Sequence, residues 1–198
     1  MAIALTHVEM MLVTDREILL TKNHIIQKVT NVFGAIAERY KIIISESELH
    51  NESITTGKIS KGENYNGLPY IMLDYPRQFA KGDVFAIRTF FWWGNFFSIT
   101  LQLGGHWQQK FLPAIQHAIR RNLLEGWFLG CSDTPWDHHF EEDNYAPVRQ
   151  QSADALPALL HIKIAKKIPL SEWNNMETFF EENFSLLIRV LGNYAPIL

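Results

Sequence analysis

The sequence predicts an α+β fold: an antiparallel sheet with a central long hairpin, one face covered by the N-terminal and C-terminal helices. Three observations carry this. Apolar residues recur at helical spacing from Ile18 to Tyr40, two long β-rich runs flank Gly94-Asn95, and helical spacing returns from Trp173 to Leu191. With 198 residues and 47% apolar content, the chain fits a single domain spanning residues 1–198.

The opening run MAIALTHVEMMLV is apolar yet holds His7 and Glu9, and it lacks a basic leader and a small-residue cleavage site. It reads as a strand or a docked arm, not as a signal peptide. Thr14 with Glu17 three residues on forms a capping box for the first helix. Ser45 to Gly67 is polar and rich in Gly, Asn, Ser and Lys, so it reads as a long loop or lid with room for one short strand. Leu68 to Tyr75 is a strand ended by Pro76. The two runs of the hairpin follow, and then a helix with Pro113 near its start and Gly126 just past its end. Trp127 to Pro157 is irregular, with one or two short strands. The next strand alternates Leu160, Ile162 and Ile164 against His161, Lys163 and Ala165. Ser171 then caps a final helix whose buried stripe is Trp173, Met176, Phe180, Phe184, Leu187 and Leu191.

Gly94-Asn95 suits a two-residue hairpin turn, with Gly supplying positive φ at its first position. Trp92 then faces Phe97 and Arg88 faces Leu101. Alternation puts Val84, Ala86, Arg88, Phe90, Trp92, Phe97, Ile99, Leu101 and Leu103 on one face, apolar except for Arg88. The other face carries Phe85, Ile87, Thr89, Phe91, Trp93, Phe96, Ser98, Thr100 and Gln102, polar in the middle and aromatic toward the turn. A register change of one residue would exchange these sets. An arginine on an apolar face needs a partner, because an unpaired buried charge costs several kcal/mol, to order of magnitude. Asp74 on the preceding strand is the nearest carboxylate, with Glu177 and Glu181 as others. The alternative is that Arg88 reads a carboxylate or phosphate of a ligand.

Composition narrows the partner classes. A net charge of -3 and a pI near 6.2 argue against nucleic acid, which demands a concentrated excess of Lys and Arg. No run approaches the roughly 20 apolar residues of a membrane helix. The single Cys131 cannot form an internal disulfide, which fits a cytoplasmic protein with a buried, inert thiol.

Trp136 to Asp143 is the stretch with metal-ligand residue types. Asp137, His138 or His139, and Glu141 could hold a divalent metal with an open position for water, though no spaced zinc signature is present and adjacent histidines on a strand point apart. Gly57 and Gly62 have the spacing of a phosphate loop, but Glu63 and Asn64 stand where Lys and Ser/Thr are needed, and a carboxylate there repels phosphate. Arg77 beside Asp74 suits either a turn ion pair or an anion contact.

The segments GLPYIMLDYPRQF and VFAIRTFFWWGNFFSITLQLGG resemble the central part of a family of bacterial conserved hypothetical proteins. That resemblance spans about 40 residues, and it implies a bacterial cytosolic protein with no activity or site residue attached. The residues favour a binding or interaction domain that uses the mixed sheet face for a protein partner or a small anionic ligand. Arg88, Arg77, Asp74, Trp93 and Thr100 are its candidate contacts, no cofactor is predicted, and a homo-oligomer through the aromatic hairpin is compatible. The alternative is a metal-dependent hydrolase built on Asp137, His138, His139 and Glu141.

Overall fold

Local capping decides how the chain begins. In the computed structural model, which describes residues 3–52 and 57–192, Thr6 and Glu9 cap each other's amides and start helix α1 (His7–Thr14). Where a strand or docked arm was expected, residues 7–14 therefore form a helix, and none of them is buried, while residues 1–2 of that segment lie outside the described residues. Asp15, rather than Thr14, caps helix α2 (Arg16–Ser45): its carboxylate accepts from the amides of Glu17 and Ile18, as an extended N-cap residue can. Thr14 instead returns its hydroxyl to the Met10 carbonyl at 2.7 Å.

Much of the expected loop or lid after Ser45 is ordered structure. A 3-10 turn (Glu48–Asn51) leads to β1 (Lys58–Tyr65), while residues 53–56 lie outside the described residues. Strand β2 (Leu68–Phe79) does not end at Pro76. It runs through a register irregularity between Asp74 and Arg77, and a bulge is where a strand tolerates a residue with no N–H to give. Next come β3 (Val84–Trp92), β4 (Phe96–Gly104) and helix α3 (Gly105–Arg120). Pro113 lies inside α3 rather than near its start, and Asn122, at φ 56°, takes the left-handed position after the helix that Gly126 was expected to fill. The irregular segment supplies the short strands β5 (Phe128–Gly130) and β6 (Tyr145–Pro147) and the one-turn α4 (Ser152–Ala155). Strand β7 (Ile162–Pro169) begins two residues after the exposed Leu160. A 3-10 stretch (Leu170–Asn175) then leads into α5 (Met176–Gly192).

The fold is α+β: the seven strands form one antiparallel sheet in the order β1-β2-β3-β4-β7-β5-β6. Helices α2, α3 and α5 cover one face, so the terminal helices lie together as expected and α3 joins them. Beneath them sit Ile71, Leu73, Phe85, Ile87, Phe91, Phe97, Ile99, Leu101, Ile162 and Ile164, all nearly inaccessible. Each large side chain buried this way contributes about 1.5–3 kcal/mol. Phe180 of α5 packs edge-on against Phe33 of α2 and Phe97 of β4, and Arg39 of α2 pairs with Glu177 and Glu181 of α5.

The hairpin register differs by one residue from the sequence expectation. The loop holds Trp93, Gly94 and Asn95, closed by the Asn95 amide on the Trp92 carbonyl at 3.1 Å with Gly94 at φ 68°. Trp92 therefore pairs with Phe96, Phe90 with Ser98, and Arg88 with Thr100, not Leu101. The three-residue loop wins because it brings Phe97, Ile99, Leu101 and Leu103 onto the same face as Phe85, Ile87 and Phe91. A slip of one would have buried Ser98, Thr100 and Gln102 under the helices.

A polar sheet face closed by a strap, the candidate functional site

The sheet face turned away from the helices carries the polar residues. Asp74 on β2 pairs across the ladder with Arg88 on β3, Arg88 with Thr100 on β4, and Gln102 with Lys163 on β7. All five are buried, because Cys131 to Asn144 passes over them as a strap between β5 and β6. Phe140 anchors the strap: it stacks on Tyr145 and meets Phe96 and Phe128 edge-on. Tyr65 at the end of β1 anchors it by polar contacts. Its hydroxyl accepts the amides of His138 at 2.6 Å and His139 at 3.1 Å, and lies 3.0 Å from His139 Nδ1.

Arg88 is the hub. Its Nε and Nη2 donate to the two oxygens of Asp74 at 2.7 and 3.0 Å, a bidentate pair that satisfies the carboxylate and neutralises the charge. Its Nη1 donates to His138 Nε2 at 3.2 Å. A guanidinium only donates, so this bond holds His138 neutral with Nε2 unprotonated. Burial, then the charges of Arg88 and Lys163, hold the His138 pKa well below its ordinary value. The ring packs between Tyr65 and Phe90.

Lys163 is the second buried cation, and it has no carboxylate. Its ammonium donates to the Asp137 carbonyl at 2.7 Å and to Asn144 Oδ1 at 2.9 Å, and sits 4.7 Å over the Tyr145 ring. Burial lowers its pKa to about 8. Gly130 makes room for it: a Cβ there would lie 2.9 Å from Lys163 Cβ. Burial also raises the Tyr145 pKa, opposed in part by Thr100 and Arg88. The Tyr145 hydroxyl, on the Thr100 side, makes no hydrogen bond of normal geometry, and neither does Gln102 Nε2.

The sequence candidates therefore separate. Asp74, Arg88 and Thr100 meet under the strap as neighbours, with the Asp74 partner where the sequence put it. Arg77 lies beyond the β2 bulge, with its guanidinium over Phe79. Trp93 is half-buried at the hairpin tip on the helix side, with its indole N–H unpartnered. The candidate metal ligands diverge: Asp137 takes the Ser132 hydroxyl, His138 faces Arg88, His139 faces Tyr65 and Asp143, and Glu141 is exposed. Among the described residues no group of three or more His, Cys, Asp or Glu is placed to hold a metal ion. Lys163, Asn144, Gln102, Tyr145 and Tyr65 were not singled out. The alternation of Lys163 with Ile162 and Ile164 marked its face, but nothing local showed that the face is covered. No helix among the described residues is long and apolar enough to cross a membrane. Compared with known proteins, the chain matches no family model, no curated protein and no solved structure.

Two outcomes follow from this network. Arg88→Met strands the Asp74 carboxylate and costs about 3–5 kcal/mol of stability. In urea unfolding, Asp74→Asn combined with Arg88→Met loses less than the sum of the two single changes. The second outcome concerns pH. The folded Lys163 pKa of about 8 lies below its unfolded value near 10.5, so the unfolded chain binds more protons between them. The cost of burying this ammonium is full below pH 8 and is relieved as pH rises to 10.5. His138 has the same sign at lower pH: its folded pKa is depressed, so stability falls as pH drops below about 6.5. Denaturant midpoints against pH check both slopes, the first vanishing in Lys163→Met and the second in His138→Gln.

Proposed function

We propose that this protein is an interaction module whose apolar N-terminal arm docks onto a second copy of the chain. The observation that carries the reading is where the exposed apolar side chains lie. Of the fifteen exposed large hydrophobics among the described residues, ten fall between Ile3 and Leu20: two ahead of α1, five on it and three on the first turns of α2. Monomeric proteins seldom leave such a contiguous patch in water. A helix of eight residues is also marginal by itself, and it gains order when its side chains are covered.

Charge and shape favour a second copy as the cover. Between Ile3 and Asp15 there is no Lys or Arg, while Glu9 and Asp15 are acidic, so an anionic lipid surface would repel the arm. The same chain also carries a largely apolar groove formed by Ile18, Thr21, Lys22, Ile25 and the hairpin-tip Trp93, with Asp15 and Glu17 at its edge and no α1 residue among its walls. Arm and groove are joined through the single residue Asp15, which is extended at φ -85° and ψ 95°. An arm and a groove that do not meet within one chain suit the reciprocal contact of a two-fold dimer. Such a dimer buries about 800 Å² per partner, an area that ten large side chains can supply. Trp93 keeps the role expected of the aromatic hairpin, whereas Phe90, Trp92, Phe96 and Phe97 are packed inside.

Sedimentation velocity across concentration tests this, with a dimer expected for the natural chain. Val8→Glu with Leu12→Glu yields a monomer with an unchanged urea midpoint, because neither side chain is buried in the fold. Trp93→Ala shifts the equilibrium the same way. A natural chain that stays monomeric at every concentration overturns the reading, and flotation with lipid vesicles in that case would assign the arm to a membrane surface.

A further inference from the structure

The strap-covered face is short of acceptors. Its two cations share one buried carboxylate: Asp74 is fully used by Arg88, and Lys163 Nζ bonds only the neutral oxygens of Asp137 and Asn144. The Asp137 carboxylate bonds Ser132 and supports the Lys163 charge only from a distance. Two further donors are short of acceptors on residues each only 3% exposed: Gln102 Nε2 has no partner, and Tyr145 Oη has only the Thr100 hydroxyl at poor geometry. An unpaired buried donor costs about 1–3 kcal/mol, and an ammonium with no carboxylate bonded to it costs more. These deficits share one sign and one row. Gln102 pairs with Lys163, Lys163 lies against Gly130, and Gly130 pairs with Tyr145, with small Ala86 on the far side of Gln102.

The geometry points to a binding site for a small carboxylate, held by Lys163 Nζ with Gln102 and Tyr145 donating to its oxygens. One negative charge is the most this interior can take: Asp74, Arg88 and Lys163 leave a single positive charge, part of it already offset by the Asp137 carboxylate, with His138 neutral. A dianion such as phosphate would overshoot. Two carboxylate oxygens offer the acceptors that the ammonium, the amide and the phenol lack. The strap has to lift to admit the ligand; its exposed residues are Cys131, Asp133, Trp136 and Glu141 to Asp143.

Thermal unfolding at constant ionic strength tests the site with sodium formate, acetate and phosphate against chloride. Formate or acetate gives a saturable Tm rise of about 5 °C, and phosphate does no better than chloride. Lys163→Met abolishes the response, and Gln102→Leu weakens it at least tenfold in the concentration needed. If Lys163→Met fails to fold, Gln102→Leu decides alone. Equal shifts for all four anions, or an undiminished carboxylate response in Gln102→Leu, overturn the site. The Val8→Glu and Leu12→Glu variant responds as the natural chain does, so this outcome is independent of self-association.

Discussion

A guanidinium cannot be left unpaired inside a protein, and the outer half of this molecule is arranged around that requirement. Arg88 lies on the central strand pair, where solvent does not reach once the strap is closed. Asp74 meets it with both oxygens, which fixes the β2–β3 register at the centre of the sheet, just before the bulge at Pro76. The third guanidinium nitrogen turns to His138 and thereby sets that ring's tautomer and place. From His138 the strap is continuous with Tyr65 on one side and with the Lys163 carbonyl contact on the other. Breaking the pair would therefore disturb strand register and strap together.

The two sheet faces are covered by different means. On the helix side the cover is apolar and periodic, and its stabilisation scales with area. A buried polar pair there, the Tyr40 hydroxyl and Thr89 Oγ1 at 3.0 Å, is satisfied internally. On the strap side the cover is a loop whose own backbone must be satisfied. Tyr65 accepts two of its amides, Lys163 takes the Asp137 carbonyl, and Asn144 Nδ2 takes the His139 carbonyl at 2.5 Å. A cover held by a few directed bonds and one aromatic anchor opens more readily than one held by three helices. Opening of that kind is what a ligand site on this face requires.

Much of the architecture was legible because it is periodic. The stripe Val29, Phe33, Ile36 and Tyr40 meets the stripe Met176, Phe180, Phe184 and Leu187, and both read directly from 3.6-residue spacing. Asp74 was legible as the acid on the strand next to Arg88. The hairpin register was not, since a Gly-X pair is compatible with a two-residue or a three-residue loop and the aromatics near the turn occupy both faces. The N-terminal helix hid behind an apolar run, although Thr6 and Glu9 already had capping-box spacing. The strap lacks any period: its fixed points, Tyr65 to His138 and Lys163 to Asp137, join residues 73 and 26 positions apart. Lys163 looked like a solvent-facing strand residue because only the tertiary fold closes over it.

The polar sheet face is an interior closed by the strap. Native-state amide hydrogen exchange tests it most directly, read at His138 and His139, whose N–H groups bond the Tyr65 hydroxyl. Both amides should be protected in the natural chain and lose that protection in Tyr65→Phe, while the Arg88 and Thr100 amides within the β3–β4 ladder keep theirs. Unprotected His138 and His139 amides in the natural chain, or protection that survives Tyr65→Phe, would contradict the account.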